Sequence, residues 1–182
     1  MNVVDIQLII NGARRTGFRG SLTRGMYLPA AVVLAVFTIA ANAAELSLDH
    51  ANLTPGKTAD LNVRIAAGAT APTGVQFDLE YDSTAMDVRV EAGPVATASE
   101  KTLQAAVTPA GKHRVLIIGF NKNVMPDGVV AILHVTLKGE AKAGQTFPIS
   151  IKSPSGTNAR AESLVFTGNE GSIKVESRRN GQ

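Results

Sequence analysis

Three carboxylates crowd one stretch of this 182-residue chain, Gly74-Val75-Gln76-Phe77-Asp78-Leu79-Glu80-Tyr81-Asp82. Two carboxylates at i and i+2 of a strand lie roughly 7 Å apart, a spacing that would suit the acid and base of glycoside hydrolysis. Asp82 begins a turn, however, and no flanking residues suggest an enclosing cleft, so Asp78 and Glu80 read as the wet face of a strand. Calcium would need further oxygen ligands, and there is no Asp-x-Asp-x-Asp-Gly loop. The histidines are sparse: His50, His113 and His134. His134 shares its side of a strand with Ile132 and Thr136, which fits a packing or surface role rather than a ligand. The absence of cysteine removes disulfides, thiolate metal sites and cysteine nucleophiles together. Gly-x-Ser-x-Gly is also absent, and Ser153-Pro154-Ser155-Gly156-Thr157 reads as a loop. The glycines from Gly17 to Gly25 follow no strand and make no phosphate loop. The chemistry-bearing residues thus predict no enzyme, no metal and no cofactor.

The element that must position Asp78 is a strand without a slip in its alternation. Val75, Phe77, Leu79 and Tyr81 point one way, and Gln76, Asp78 and Glu80 the other. One face of it is buried and the other meets water or a partner. Ahead of it lies a segment outside the fold. Arg14, Arg15, Arg19 and Arg24 precede an apolar run from Leu28 to Ala41, and Ala41-Asn42-Ala43 offers small residues to a signal peptidase. That sequence of features predicts a secretory signal peptide over residues 1–43, and the run is shorter than a bilayer span needs. The protein is therefore expected to be secreted, periplasmic or at the cell surface. The whole chain carries 18 Lys+Arg against 15 Asp+Glu; without residues 1–43 there are fourteen of each sign. A balanced domain has no electrostatic footprint for nucleic acid.

From Glu45 onward the chain reads as short strands punctuated by turns. Strands are expected at 45–50, 58–66, 74–82, 86–91, 103–108, 114–120, 128–138, 144–152 and 163–176. Turns fall at Thr54-Pro55-Gly56-Lys57 and Pro109-Ala110-Gly111-Lys112, and Gly93-Pro94 breaks the strand that precedes it. About nine such strands predict an all-β fold, an antiparallel β-sandwich over residues 44–176, followed by a short basic tail at 177–182. Val115, Leu116, Ile117 and Ile118 are contiguous, so that strand is either covered on both sides or leaves one face as an exposed apolar patch.

Three motifs in order, Thr54-Pro55-Gly56-Lys57-Thr58, Val75-Gln76-Phe77-Asp78-Leu79-Glu80-Tyr81-Asp82 and Pro126-Asp127-Gly128-Val129-Val130-Ala131-Ile132-Leu133, resemble the cohesin domains of cellulosome scaffoldins and their non-cellulosomal relatives. The resemblance implies a nine-stranded jelly roll that binds dockerin modules of polysaccharide-degrading enzymes, a fold shared with some carbohydrate-binding modules. Carried over by position, it places the partner-binding face at Gln76 and Asp78, with Ile117, Gly119 and Asn121 on the sixth strand. The family has Asn and Asp on the outward side of the organising strand, where this chain has Gly74 and Gln76.

The expected function is a noncatalytic binding module engaging a dockerin-type or other protein partner in extracellular polysaccharide degradation. An apolar centre with a polar rim is how such surfaces bind. Direct carbohydrate binding is the alternative. It usually needs outward aromatic rings, and of Phe77, Tyr81, Phe120, Phe147 and Phe166 the alternation buries most. A structural β-domain of an envelope or secretion assembly is the third reading.

Overall fold

The computed structural model describes residues 43–108 and 112–177. The expected signal peptide, apart from its last residue, the Pro109-Ala110-Gly111 part of one turn, and the end of the basic tail lie outside these residues.

Among the described residues there are eleven strands and one helical turn: β1 (Ala44–Leu48), β2 (His50–Leu53), β3 (Thr58–Ala66), β4 (Gly74–Glu80), β5 (Met86–Ala92), α1 (Pro94–Ala98), β6 (Thr102–Val107), β7 (His113–Ile118), β8 (Gly128–Leu137), β9 (Thr146–Thr157), β10 (Ser163–Gly168) and β11 (Gly171–Val175). Strands β5, β8, β3 and β1 hydrogen-bond in that order; β6, β7, β4 and β9 form the other run, and β10 bridges β1 to β9. Strand β11 joins β9 to β2.

The fold is all-β as expected, but it is not purely antiparallel. Strand β1 pairs parallel with β10, and β2 parallel with β11. The reason is that the first and last strand-forming stretches each break once. The chain interrupts its pairing at Asp49 and again between Gly168 and Gly171, and resumes on a different neighbour. Gly171 lies at this crossing. A Cβ there would overlap the Asp49 carbonyl oxygen and the Leu48 side chain, so only glycine lets the two breaks meet. One further expectation needs correcting. Ser153-Pro154-Ser155-Gly156-Thr157 belongs to β9, with an irregularity in the β4–β9 register between Gln76 and Asp78 that accommodates the proline and a positive φ at Ser153. The Gly93-Pro94 break opens the helical turn α1 with proline in its first turn.

The core lies between the two runs of strands. Leu46, Leu61, Val63, Leu133, Val135 and Leu137 from one side meet Val75, Phe77, Leu79, Val115, Ile117 and Ile149 from the other, all buried. Each such side chain contributes about 1.5–3 kcal/mol by leaving water. The alternation seen in the sequence of β4 is realised: Val75, Phe77 and Leu79 are buried in the core. No helix among the described residues is long and apolar enough to cross a membrane.

A candidate protein-interaction face on the second sheet

Because inward parity on β4 belongs to Phe77, antiparallel pairing dictates parity on every neighbour. Phe77 lies opposite Val115 on β7, and Val75 opposite Ile117, so those residues also point inward. The outward residues of β7 are Arg114, Leu116 and Ile118. The sequence expectation for Ile117 is thereby overturned: its side chain is fully buried in the core. Gly119 and Asn121 lie beyond the end of β7 and do not extend its outer face either. A Cβ at Gly119 would come within 2.8 Å of the Glu100 carbonyl oxygen. Asn121 accepts a hydrogen bond from Lys101 Nζ at 2.6 Å and donates one to the Glu100 carbonyl at 3.0 Å, fastening its loop to the chain before β6. Burial of Lys101 lowers the pKa of its ammonium. Gln76 and Asp78 are where the sequence placed them, on the outer face.

Register across β10, β9, β4, β7 and β6 arranges this face in rows. The first holds Thr157, Gly74, Ile118 and Thr102. The second holds Val165, Ser155, Gln76, Leu116 and Gln104. The third holds Lys152, Asp78, Arg114 and Ala106. Ile118 is 40% exposed and Leu116 is half-buried beside Gln76, while Val165, 76% exposed, stands apart from them across Ser155 and Gln76. The contiguous apolar run of β7 therefore does leave a patch in water, carried by the residues of opposite parity to those chosen from sequence. Arg114 was the signal for this: in a strand otherwise apolar from Val115 to Ile118, the charged residue marks which side faces solvent.

The third row is charged yet internally matched. Arg114 donates from Nε to Asp78 Oδ1 at 2.8 Å and from Nη2 to Oδ2 at 3.0 Å, a bidentate fork. These hydrogen bonds hold the Asp78 carboxyl below its ordinary pKa against the opposing effect of burial, and raise the Arg114 value in turn. Lys112 pairs with Glu80, and Lys152 with Glu170 at 3.4 Å. The carboxylates of the organising strand are thus structural ion-pair partners, and this surface holds no acid and base poised around a cleft.

Two other features lie off this face. Phe120 stands fully in solvent in the loop after β7, the exception among the described aromatics, which are otherwise buried in or packed on the core, and Val124 in the same loop is 47% exposed. On the outer side of the first sheet His134 is held between Asp60 and Glu91. Among the described residues no group of three or more acidic, histidine or cysteine side chains is arranged to hold a metal ion.

The fold and this surface define a recognition module: a β-sandwich that presents an apolar strip, flanked by amides, hydroxyls and neutralised charges, on one sheet. Residues 44–175 match the family model described as "Cohesin domain", and the chain belongs to that family, whose members are noncatalytic protein-interaction modules. Among solved structures it is similar to the sixth cohesin of scaffoldin B from Acetivibrio cellulolyticus, crystallised in complex with a Cel5 dockerin mutant, at 22% identity and TM-score 0.64, covering 74% of this chain and 99% of that one. It is also similar to the cohesin of the Coh-OlpA–Doc918 complex from Clostridium thermocellum, at 17% identity and TM-score 0.65 over 74% and 99% of the two chains. A non-cellulosomal cohesin from the archaeon Archaeoglobus fulgidus is similar at 14% identity and TM-score 0.62, over 75% and 94%. At these identities the likeness is one of fold. No curated protein sequence matches the chain.

Proposed function

We propose that this chain is an exported adaptor that receives a dockerin-type protein module on the outer face of β9, β4, β7 and β6, in extracellular polysaccharide degradation. The observation that carries the reading is the pair of outward aliphatic side chains Leu116 and Ile118 beside Gln76 in a cohesin fold. An apolar centre inside a polar rim is the anatomy of a protein-binding patch. Solved cohesins of similar fold are crystallised with dockerins, which supports the choice of partner. Gln76 remains the polar contact proposed from sequence, Asp78 supports the face through its fork to Arg114, and Leu116 and Ile118 replace Ile117 as the apolar contacts. The basic lead and apolar run before Ala44 support export to a secreted, periplasmic or surface location.

The test is calorimetric titration of the purified chain with a panel of dockerin modules, with a polysaccharide pull-down in parallel. Saturable binding to a dockerin that weakens at least tenfold in Ile118→Asp supports the proposal. Retention on polysaccharide with no dockerin bound overturns it in favour of a carbohydrate-binding module.

A further inference from the structure

Gly74 opens β4 on the outer face, between Thr157 at the end of β9 and Ile118 at the end of β7. Where a side chain would stand, the surface dips into a depression of about 270 Å³ walled by Gln76, Leu116, Ile118, Ser155 and Thr157. We propose that this depression is a socket for one aliphatic side chain projecting from an uncharged helix face of the protein partner, and that Gly74 determines which side chain is admitted. The inference rests on the docking face proposed above and adds what the partner must bring to it.

The glycine is not demanded by the fold. Its φ is not in the left-handed region, and an added Cβ would meet Thr157 Oγ1 at 3.4 Å, Ile118 Cγ2 at 3.5 Å and the Ile117 carbonyl oxygen at 3.7 Å, all ordinary contacts. Gly156 and Gly171 differ, since a Cβ there would collide with neighbours. A methyl at Gly74 would therefore occupy the floor of the depression, in contact with Thr157 and Ile118 but displacing neither. At about 270 Å³ the depression lies just below the ~300–1,000 Å³ of pockets that enclose small-molecule ligands, with room for a branched side chain and water beside it.

The chemistry of the walls selects that side chain. Leu116 and Ile118 supply aliphatic surface, the hydroxyls and the Gln76 amide form the rim, and no aromatic ring lines the dip to stack on a sugar. The charges of the adjoining surface are already spent on each other, Asp78 with Arg114, Glu80 with Lys112 and Glu170 with Lys152. A charged group entering the socket would lose water and find no free counter-charge. A branched aliphatic side chain loses nothing polar on entry, and its neighbours on an uncharged helix face meet the rim by hydrogen bonds.

The socket is tested directly with isoamyl alcohol, the alcohol that carries the branched end of a leucine side chain, titrated into the isotope-labelled full chain and followed by amide chemical shifts. Saturating shifts centred on Gly74, Ile118 and Thr157 are expected, weakened several-fold in Gly74→Ala and at least tenfold in Gly74→Val. The Ala variant, whose methyl fits without displacement, should melt with the wild type and keeps the comparison valid if the Val variant is less stable. Shifts that do not saturate, that centre elsewhere, or that persist unchanged in both variants overturn the socket. In a second arm, a bound dockerin should lose affinity non-additively when Gly74→Val is combined with alanine at the aliphatic residue of its contact helix. The alcohol assay needs no partner, so its success with no dockerin bound sinks the proposed function alone. Dockerin binding that is unaffected by Gly74→Val sinks the socket alone.

Discussion

Asp78 and Arg114 face each other across β4 and β7, with both carboxylate oxygens taken by one guanidinium. Asp78 is nearly buried, whereas half of the Arg114 side chain is in water. Removing the arginine strands a desolvated carboxylate; removing both leaves nothing to strand. Arg114→Ala should therefore lower the melting temperature more than the double variant Arg114→Ala/Asp78→Ala does, by thermal unfolding at neutral pH. Because the Asp78 pKa is depressed in the fold, its contribution is present above the ordinary aspartate range and fades as pH falls through the lowered value. The gap between Arg114→Ala and the wild type should close in acid.

His134 answers to pH with the opposite sign. Its Nδ1 lies 2.6 Å from Asp60 Oδ1 and its Nε2 2.7 Å from Glu91 Oε2, tying β3, β8 and β5 together. Hydrogen bonds to Glu91, then to Asp60, raise its pKa above the ordinary histidine value. The stabilisation is thus complete below about pH 6.5, the unfolded value, and is lost as pH rises through the folded one. The wild type should outlast His134→Gln in thermal denaturation below pH 6.5, and the two should converge in mild alkali; a constant difference would disprove the clamp.

Two adjacent residues of β7 should behave as opposites. Ile117 is fully buried, so Ile117→Ala should cost about 2–5 kcal/mol of unfolding free energy by denaturant titration. Ile118 is 40% exposed on the outer face, and Ile118→Asp should leave unfolding nearly unchanged while removing partner binding. Loss of the fold in Ile118→Asp would return that residue to the core.

At the strand crossing, Gly171→Ala should destabilise the domain strongly. Its methyl must displace the Asp49 carbonyl and Leu48, which are backbone and core rather than a flexible tip. Gly144→Ala, a turn glycine with φ +87° and nothing within 4 Å of the added carbon, should cost less, only the strain of that dihedral. Equal melting temperatures for the two variants would contradict the close approach.

Alternation in β4 was legible in the sequence because a strand with polar and apolar residues in turn shows its parity directly. Val75, Phe77 and Leu79 are in the core, and Gln76 and Asp78 face out, as read. Strand β7 was not legible in the same way. Four consecutive apolar residues carry no parity of their own, so a one-residue slip exchanged Ile117 for Leu116 and Ile118. The register that resolves it, Phe77 opposite Val115, is a long-range relationship. The parallel pairs β1–β10 and β2–β11 were hidden for a similar reason: local pattern identifies a strand but not its neighbour. Ser153 to Thr157 looked like a loop because Pro154 cannot donate to a ladder, and the irregular register beside it is what lets β9 continue.

The two parallel pairs have a mechanical consequence. The strands that open and close the domain run side by side in one direction, from Ala44 beside Phe166 to Val175 beside Leu53. The backbone therefore enters the sandwich beside Phe166 in one pair and leaves it beside Leu53 in the other. Tension between those points acts along both ladders and strains their hydrogen bonds together in shear, so the domain yields by sliding whole strands past one another rather than by peeling from one end.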